Sequence, residues 1–146
     1  MNDNTAVFWQ QHLELPPFSR GFHLIQNEIE QSLKTLPAMN IGLLNIFLQH
    51  TSASLCLSER ACKSVQRDLE RWFNCQIPDD ASRYEHSIEG EDDMPAHIKN
   101  VLLGASLTLP ISKGQLSLGQ WQGIMLCEHR NQAPGRRLIL TVNGQK

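Results

Sequence analysis

The sequence predicts an α+β domain with a mainly antiparallel sheet packed with a few helices. Apolar residues in the first half follow both the two-residue period of strands and the period of three to four residues typical of helices. The last third follows the strand period almost throughout. A run of strands without helices between them favours antiparallel pairing. With 146 residues in the chain, we expect one compact domain over residues 1–146.

The composition narrows the classes of function. The chain is 40% hydrophobic and 19% charged, as soluble globular proteins are. A net charge of −2 and scattered basic residues argue against nucleic acid as a partner. No apolar run approaches the ~20 residues of a membrane helix, and the N-terminus has no signal-peptide pattern. We therefore expect a cytoplasmic protein without a membrane partner.

The first third of the sequence predicts two strands with one helix between them. Residues 6–15 alternate loosely and predict a strand that ends at Pro16. From Gly21 to Leu36, apolar residues recur every three or four positions, which predicts one amphipathic helix. Residues 41–48 are almost wholly apolar and predict a central strand that is buried on both faces.

The middle of the chain predicts a strand and two further helices. Residues 53–57 alternate as a strand, and Ser58 can cap the next helix by accepting backbone hydrogen bonds. Pro95 suits the first turn of the other helix, and Gly104 suits its end. Each helix has an apolar stripe at helical spacing, formed by Ala61, Val65, Leu69 and Trp72 in the first and by Ile98, Val101 and Leu102 in the second.

The last third predicts an all-strand region. Alternating apolar residues mark strands within 107–111, 116–118, 123–128 and 138–142. Lys113 and Gly114 predict a turn between the first two of these strands.

The stretch 84–97 is the first candidate for chemistry, because it contains two histidines and five carboxylates. His50, at the end of the apolar strand, is a third histidine that the fold would hold firmly. Three protein ligands with one open position are typical of catalytic zinc. The spacing of His50, His86 and His97 matches no compact metal motif, so from the residues alone a solvated loop and structural histidines are favoured over a metal site.

Several other side chains could take part in the same chemistry. Asp92 or Asp93 could orient a liganding histidine or act as a general base, or could only cap the following helix. Glu59, next to a capping serine, has the same ambiguity. Trp121 lies between two glycines and could stack on a flat ring, and the pair Arg136-Arg137 offers guanidinium donors for an anion. Strand alternation should direct only one of these two arginines toward a site.

Several motifs occur together and in order along the chain. They are His50-Thr51-Ser52-Ala53-Ser54-Leu55, Tyr84-Glu85-His86, Asp92-Asp93-Met94-Pro95-Ala96-His97-Ile98-Lys99, Leu103-Gly104, Gly119-Gln120-Trp121-Gln122, and Glu128 followed by Arg136-Arg137. In this combination the chain resembles the YjbQ family, whose members are commonly labelled secondary thiamine-phosphate synthase. The resemblance extends from about Gly21 to Val142.

The resemblance implies a compact α+β fold with a mainly antiparallel sheet, assembled as a homotrimer. It also implies an activity that joins a pyrimidine methyl diphosphate to a thiazole phosphate, as a side capacity of a family whose native substrate is unsettled. The family histidines match His50, His86 and His97, which would bind a divalent metal, zinc or magnesium, or an anion. We therefore expect a phosphorylated small molecule as ligand and further copies of the chain as partners.

The resulting site prediction has three groups of residues. The metal ligands are His50, His86 and His97; the catalytic residues are His50, Glu59, Asp92 and Asp93; the substrate-binding residues are Ser52, Trp121, Gln122 and Arg136. Two other functions stay open: a trimer that binds a metabolite or anion without turnover, and a metal-dependent hydrolase of a phosphorylated metabolite. All three functions need the same polar cluster, so the sequence does not separate them.

Overall fold

The computed structural model describes residues 4–146, which form eight strands and three α-helices. The strands are β1 (Ala6–Leu15), β2 (Gly21–Leu24), β3 (Ile41–Leu48), β4 (Ala53–Glu59), β5 (Ser106–Ser112), β6 (Gln115–Leu116), β7 (Gln122–Glu128) and β8 (Arg136–Gln145). The helices are α1 (Gln26–Ser32), α2 (Lys63–Gln76) and α3 (Asp93–Leu103), and single turns of 3-10 helix cover Leu33–Thr35 and Ala81–Arg83. No helix in this part of the chain is long and apolar enough to cross a membrane.

The strands form two antiparallel sheets. The larger sheet has the order β1-β8-β3-β5-β6, and the smaller has the order β2-β7-β4. Every pairing between neighbouring strands is antiparallel. Because the helices cover the sheets instead of connecting parallel strands, the predicted α+β class with a mainly antiparallel sheet is confirmed.

The main hydrophobic core brings together the inner faces of both sheets and one side of α1. On β3, Leu44, Ile46 and Leu48 are fully or almost fully buried in this core. The alternate residues of the same strand point outward and are about half exposed: Ile41 (54%), Leu43 (54%) and Phe47 (46%). The prediction that β3 is buried on both faces is therefore wrong. One face is left uncovered in the single chain.

The segment from Gly21 to Leu36 is not one helix, as the sequence predicted. Its first four residues form β2, which pairs with the end of β7 from Met125 to Glu128. Gly21 has a φ of +139°, which L side chains rarely adopt and which lets the chain enter this edge strand. Helix α1 begins only at Gln26. The pairing of β2 with β7 therefore decides the structure of residues 21–24, although their apolar spacing fits a helix.

Helix α2 starts later than predicted, at Lys63, and no side chain of the described residues caps it. Ser58 lies within β4, so its predicted role as a cap is wrong. The carboxylate of Glu59 accepts hydrogen bonds from the backbone N–H groups of Ala61 and Cys62, both at 3.0 Å, in the turn before the helix. On the inner face, Leu69 and Phe73 pack against the smaller sheet. Trp72, predicted to lie there, is 57% exposed.

Helix α3 begins two residues before Pro95 and turns a different face inward. Its buried residues are Asp93, Pro95, Ala96 and Lys99. The predicted apolar stripe is wrong, since Val101 is 80% and Leu102 65% exposed. The helix lies over polar partners: the Ser54 hydroxyl donates to the Lys99 carbonyl at 3.4 Å, and the Lys99 ammonium donates to the side chain of Asn74 at 2.7 Å. The inner face is therefore partly polar.

Candidate metal centre

Three loops and the start of α3 meet at one end of the two sheets. The pairing of Ala53 with Glu128 brings the turn between β3 and β4 beside the residues that follow β7. Asn100 of α3 donates to the carbonyl oxygens of His50 at 3.3 Å and Ala53 at 2.6 Å. These bonds hold the helix against the turn. The polar stretch before α3 is thereby placed at the same end.

His86, Asp93 and His97 converge at this end, with one potential ligand atom from each within 4.8 Å of the others. Oδ2 of Asp93 lies 2.7 Å from Nε2 of His86 and 3.2 Å from Nε2 of His97. Asp93 and His97 are one helical turn apart on α3, so they share a face of the helix. The side chain of Asp93 is 1% exposed, whereas those of His86 and His97 are 50% and 29% exposed. The cluster therefore has a buried carboxylate and an accessible imidazole side.

The backbone partner of His97 assigns the protonation of its ring. Nδ1 of His97 lies 2.8 Å from the carbonyl oxygen of Thr51. A carbonyl only accepts, so Nδ1 carries the hydrogen, and Nε2 of the neutral ring is left with a lone pair. That lone pair faces Oδ2 of Asp93, which is also an acceptor. A proton or a cation between the two atoms resolves this conflict, and a histidine anchored through its second nitrogen is typical of metal ligands.

Arg130 binds the carboxylates of Asp92 and Asp93 and leaves Oδ2 of Asp93 to the histidines. Its Nε donates to Oδ2 of Asp92 at 3.0 Å, its Nη1 donates to Oδ1 of Asp93, and its Nη2 donates to the carbonyl of Glu89 at 2.8 Å. The backbone N–H of Asn131 also donates to Oδ2 of Asp92, at 2.8 Å. With Oδ1 of Asp93 engaged by Arg130, Oδ2 is directed to the two histidines.

Both aspartates are held in the charged form. Burial alone would raise the pKa of Asp93, but the hydrogen bond from His86 and the charge of Arg130 outweigh it, so the pKa lies below its usual value. Burial likewise opposes ionisation of Asp92, and the hydrogen bonds from Asn131 and Arg130 lower its pKa below the usual value. Asp92 makes no side-chain bond to the free N–H groups of α3. Asp92 therefore does not serve only as a helix cap, which was the alternative that the sequence left open.

His50 directly precedes Thr51, which anchors His97, but its own ring contacts β8. Its Nε2 accepts the backbone N–H of Arg137 at 2.8 Å, so the neutral ring carries its hydrogen on Nδ1. Burial lowers the pKa of His50, and the charges of Arg136 and Arg137 lower it further. A neutral ring with Nε2 occupied and Nδ1 protonated offers a hydrogen-bond donor. It has no free nitrogen lone pair that could bind a metal ion. His50 does not belong to the ligand group formed by the described residues.

Arg136 is buried and paired within the protein. Its Nε and Nη2 donate to the two carboxylate oxygens of Glu128 at 2.7 and 2.6 Å, and Nη2 also donates to the carbonyl of Ser52 at 3.3 Å. Arg136 is 3% exposed and Glu128 is fully buried. Such a pair fixes the turn between β3 and β4. Alternation along β8 leaves Arg137 as the exposed arginine of the two.

Comparison with known proteins places this architecture in a family. The sequence model of the family described as "UPF0047 protein YjbQ-like" matches residues 11–145. The chain belongs to this family. A relative, the UPF0047 protein YjbQ of Escherichia coli O157:H7, is 50% identical over 95% of this chain and 100% of its own length. The UPF0047 protein sll1880 of Synechocystis sp. is 39% identical over 97% of this chain and 98% of its own.

Solved structures share the fold of this YjbQ-like chain. A YbjQ-like protein of unknown function from Sulfolobus solfataricus P2 superposes with a TM-score of 0.85 at 19% identity, over 96% of this chain and 99% of that one. A conserved hypothetical protein, TT1486 from Thermus thermophilus, gives a TM-score of 0.76 at 31% identity, over 90% of this chain and 97% of that one. The first similarity concerns the fold alone.

The structure of this YjbQ-like chain separates the predicted site residues into two groups. His86, Asp92, Asp93 and His97 lie together, with His50, Ser52 and Arg136 at their border. Glu59 and Gln122 are paired at the opposite end of β4 and β7 from Ala53 and Glu128. Six residue steps along a strand span about 20 Å. Within one chain, Glu59, Trp121 and Gln122 therefore do not reach the histidine cluster.

Sequence reasoning missed Arg130 and a polar network beneath α3. Arg130 follows β7 directly, in the run Glu128-His129-Arg130, and this polar end of a strand was the available signal. His129 is 1% exposed and its Nε2 lies 2.9 Å from the hydroxyl of Ser54. Burial, followed by the charge of Lys99, lowers the pKa of His129 to about 3. His129 is therefore a neutral, structural histidine.

We predict that His129 makes the protein sensitive to acid. Between about pH 6.5 and the folded pKa of about 3, the unfolded ring binds a proton and the folded ring does not. The free energy of unfolding contributed by this group therefore falls as pH falls, by at most about 1.4 kcal/mol per pH unit. The variant His129→Gln should lose stability less steeply than wild type in urea titrations from pH 7 to about pH 4.

The matched control is His12→Gln, which changes an exposed histidine on β1 and should keep the wild-type slope. An equal slope in wild type and His129→Gln would contradict the assignment of His129 as a buried neutral ring.

Proposed function

We propose that the His86–Asp93–His97 cluster binds a divalent cation and that this centre acts on a phosphorylated small molecule. The observation that carries the proposal is the hydrogen bond from Nδ1 of His97 to the Thr51 carbonyl. It directs Nε2 at a buried carboxylate, an arrangement in which a cation can lie between the two atoms. Two imidazoles and one carboxylate suit zinc better than magnesium, which prefers oxygen ligands and water.

A divalent cation at this position would supply positive charge that neutralises phosphate oxygens. The protein residues orient the cluster and keep it accessible to a ligand. Arg130 keeps Asp93 charged and oriented, and the half-exposed His86 leaves the cluster open to a ligand. At the same end of the sheets, His50 has an Nδ1 hydrogen that is free of partners among residues 4–146, and Arg137 adds an exposed positive charge close enough to lower the pKa of His50. This side of the cluster therefore favours an anionic ligand.

The specific reaction that we propose is transfer of the thiamine-phosphate synthase type. A pyrimidine methyl diphosphate would join a thiazole phosphate, with pyrophosphate as the leaving group. The family resemblance supports this choice, and a centre that collects positive charge suits a diphosphate leaving group. In this proposal Asp93 holds the cation, and Asp92 lies beside it, with both carboxylates bonded to Arg130. The roles proposed for Glu59, Trp121 and Gln122 in one chain are not supported by their distance from the cluster.

We also propose that the chain assembles as a homotrimer, as the resemblance implies. The outer face of β3 supports self-association, because Ile41, Leu43 and Phe47 expose apolar side chains on it, with Asn45 between the last two. Exposed apolar surface of this kind is typical of protein interfaces. Sedimentation of the wild type as a trimer, and as a monomer after Leu43→Asp, would support the proposal. Monomeric wild-type protein would exclude it.

We predict that tag-free wild-type protein binds about one Zn²⁺ per chain and that Asp93→Asn weakens this binding by at least about 100-fold. The asparagine keeps the size of the side chain but removes the charge between the two histidines. His86→Ala, which changes the more exposed ligand, provides a second variant if Asp93→Asn does not fold. Isothermal titration and elemental analysis measure the affinity and the stoichiometry.

The control for charge is Asp68→Asn, because Asp68 is exposed on α2 with 74% of its side chain accessible. Its affinity for Zn²⁺ should equal that of wild type. Wild-type protein that binds no Zn²⁺, or Asp93 and His86 variants that keep full binding, would contradict the metal centre.

An activity assay of the zinc-loaded protein distinguishes the three proposed functions. Incubation with a pyrimidine methyl diphosphate and a thiazole phosphate should release pyrophosphate only when both are present. Release of inorganic phosphate from either compound alone would instead indicate a hydrolase. Binding of the phosphorylated compounds without any product would indicate a metabolite-binding protein. The Asp93→Asn variant should lose whichever activity the wild type has.

A further inference from the structure

A second polar groove, outside the metal centre, lies between the edge strand β2 and helix α2. It has a volume of about 700 Å³. Among the described residues, five of the chain's thirteen lysines and arginines line it, compared with one of its fifteen carboxylates. That carboxylate belongs to Glu70, and Nε of Arg20 lies 3.3 Å from it. The groove is therefore positively charged on a chain whose net charge is −2.

The positive charge follows one side of α2. Lys63, Arg67 and Arg71 recur every four residues and so lie on one face of the helix, over a length of about 12 Å. Neither Lys63 nor Arg67 forms an ion pair or a side-chain hydrogen bond with any other residue in 4–146. Arg71 has only a long contact of 3.9 Å with Asp68, and both side chains are exposed. These cations are available to a ligand.

The floor of the groove is apolar and aromatic. Phe22 of β2 is 5% exposed and stacks on Phe73 of α2 with a centroid distance of 5.9 Å. Leu24 is 39% exposed in the groove. Phe18, at its edge, stacks on His23 with a centroid distance of 4.8 Å. A flat apolar group can pack here while its charged part contacts the helix.

Gly123 of β7 lies against Leu24 and Arg60, two residues that line the groove. A Cβ at this position would lie 2.5 Å from Cδ1 of Leu24 and 2.8 Å from Cβ of Arg60. The missing side chain therefore allows Arg60 to pack beside Leu24 at the groove. Arg60 is fixed there by Nε, which donates to the carbonyl of Gln120 at 3.0 Å, and by its backbone N–H, which donates to the carbonyl of Trp121 at 2.9 Å.

We propose that this groove binds a small molecule that carries two or more phosphate groups and a flat ring, independently of the metal centre. One phosphate group is much shorter than the basic stripe of about 12 Å, so two or more fit its length. Lys63, Arg67 and Arg60 provide the donors, and Phe22 and Leu24 provide the apolar contact. Arg60 and Lys63 follow the Glu59 end of β4, about 20 Å along the strand from Ala53, so a small ligand held by them does not contact the metal centre.

The test uses ADP as probe, with inorganic pyrophosphate and adenosine for comparison, and isothermal titration in the presence of EDTA. EDTA removes divalent cations, so failure of the metal centre leaves this result unaffected. ADP should bind more tightly than pyrophosphate, and adenosine should not bind. The variant Lys63→Ala/Arg67→Ala should weaken ADP binding by about tenfold or more, since it removes two charge-assisted contacts.

The matched control is Lys34→Ala/Lys146→Ala, which removes the same charge from exposed residues outside the groove and should keep the wild-type affinity. Backbone amide shifts on ADP binding should concentrate in β2. Three results would overturn the proposal: no binding of ADP at about 1 mM, equal weakening in both double variants, or tighter binding of a single-stranded oligonucleotide than of ADP. The last result would assign the groove to an extended polyanion.

Discussion

The buried charge of Asp93 is the constraint on which the candidate site depends. A carboxylate with 1% of its side chain exposed stays ionised only when neighbouring groups replace its water. Arg130 does this at one oxygen, and His86 and His97 approach the other. Because these three residues come from the loop after β7, the loop before α3 and α3 itself, the carboxylate joins three separate segments. Loss of any one partner leaves part of a buried charge unpaired.

The turn between β3 and β4 provides the fixed frame for these residues. Its four consecutive carbonyl groups, at residues 50–53, all accept hydrogen bonds from side chains. Asn100 donates to the first and the fourth, His97 donates to the second, and Arg136 donates to the third. The orientation of His97 therefore depends on how the sheet positions this turn, and the buried pair of Arg136 with Glu128 is part of that positioning. An arginine that could bind phosphate elsewhere serves here to hold the backbone.

Local patterns predicted much of the fold and part of the site. The strand at 41–48 follows from its almost wholly apolar composition, and the polar stretch 84–97 marked His86, Asp93 and His97 as candidates, both of which the sequence displays directly. Arg130 could not be found in this way, because it contacts Asp93 across 37 positions of the chain. The exclusion of His50 from the ligand group depends on one backbone N–H, which no pattern of side chains reveals. The sequence therefore does not determine the contacts between distant segments or the histidine protonation that these contacts impose.

The metal centre and the Lys63 end of the basic groove lie at opposite ends of β4, so each can be tested without the other. The most direct test of the central claim is nitrogen NMR of the histidine rings during addition of stoichiometric Zn²⁺. The structure predicts that the Nε2 signals of His86 and His97 shift, while His97 keeps its hydrogen on Nδ1 and His50 keeps its ring protonation. Unchanged Nε2 signals, or loss of the Nδ1 hydrogen of His97, would contradict a cation held between Asp93 and the two histidines.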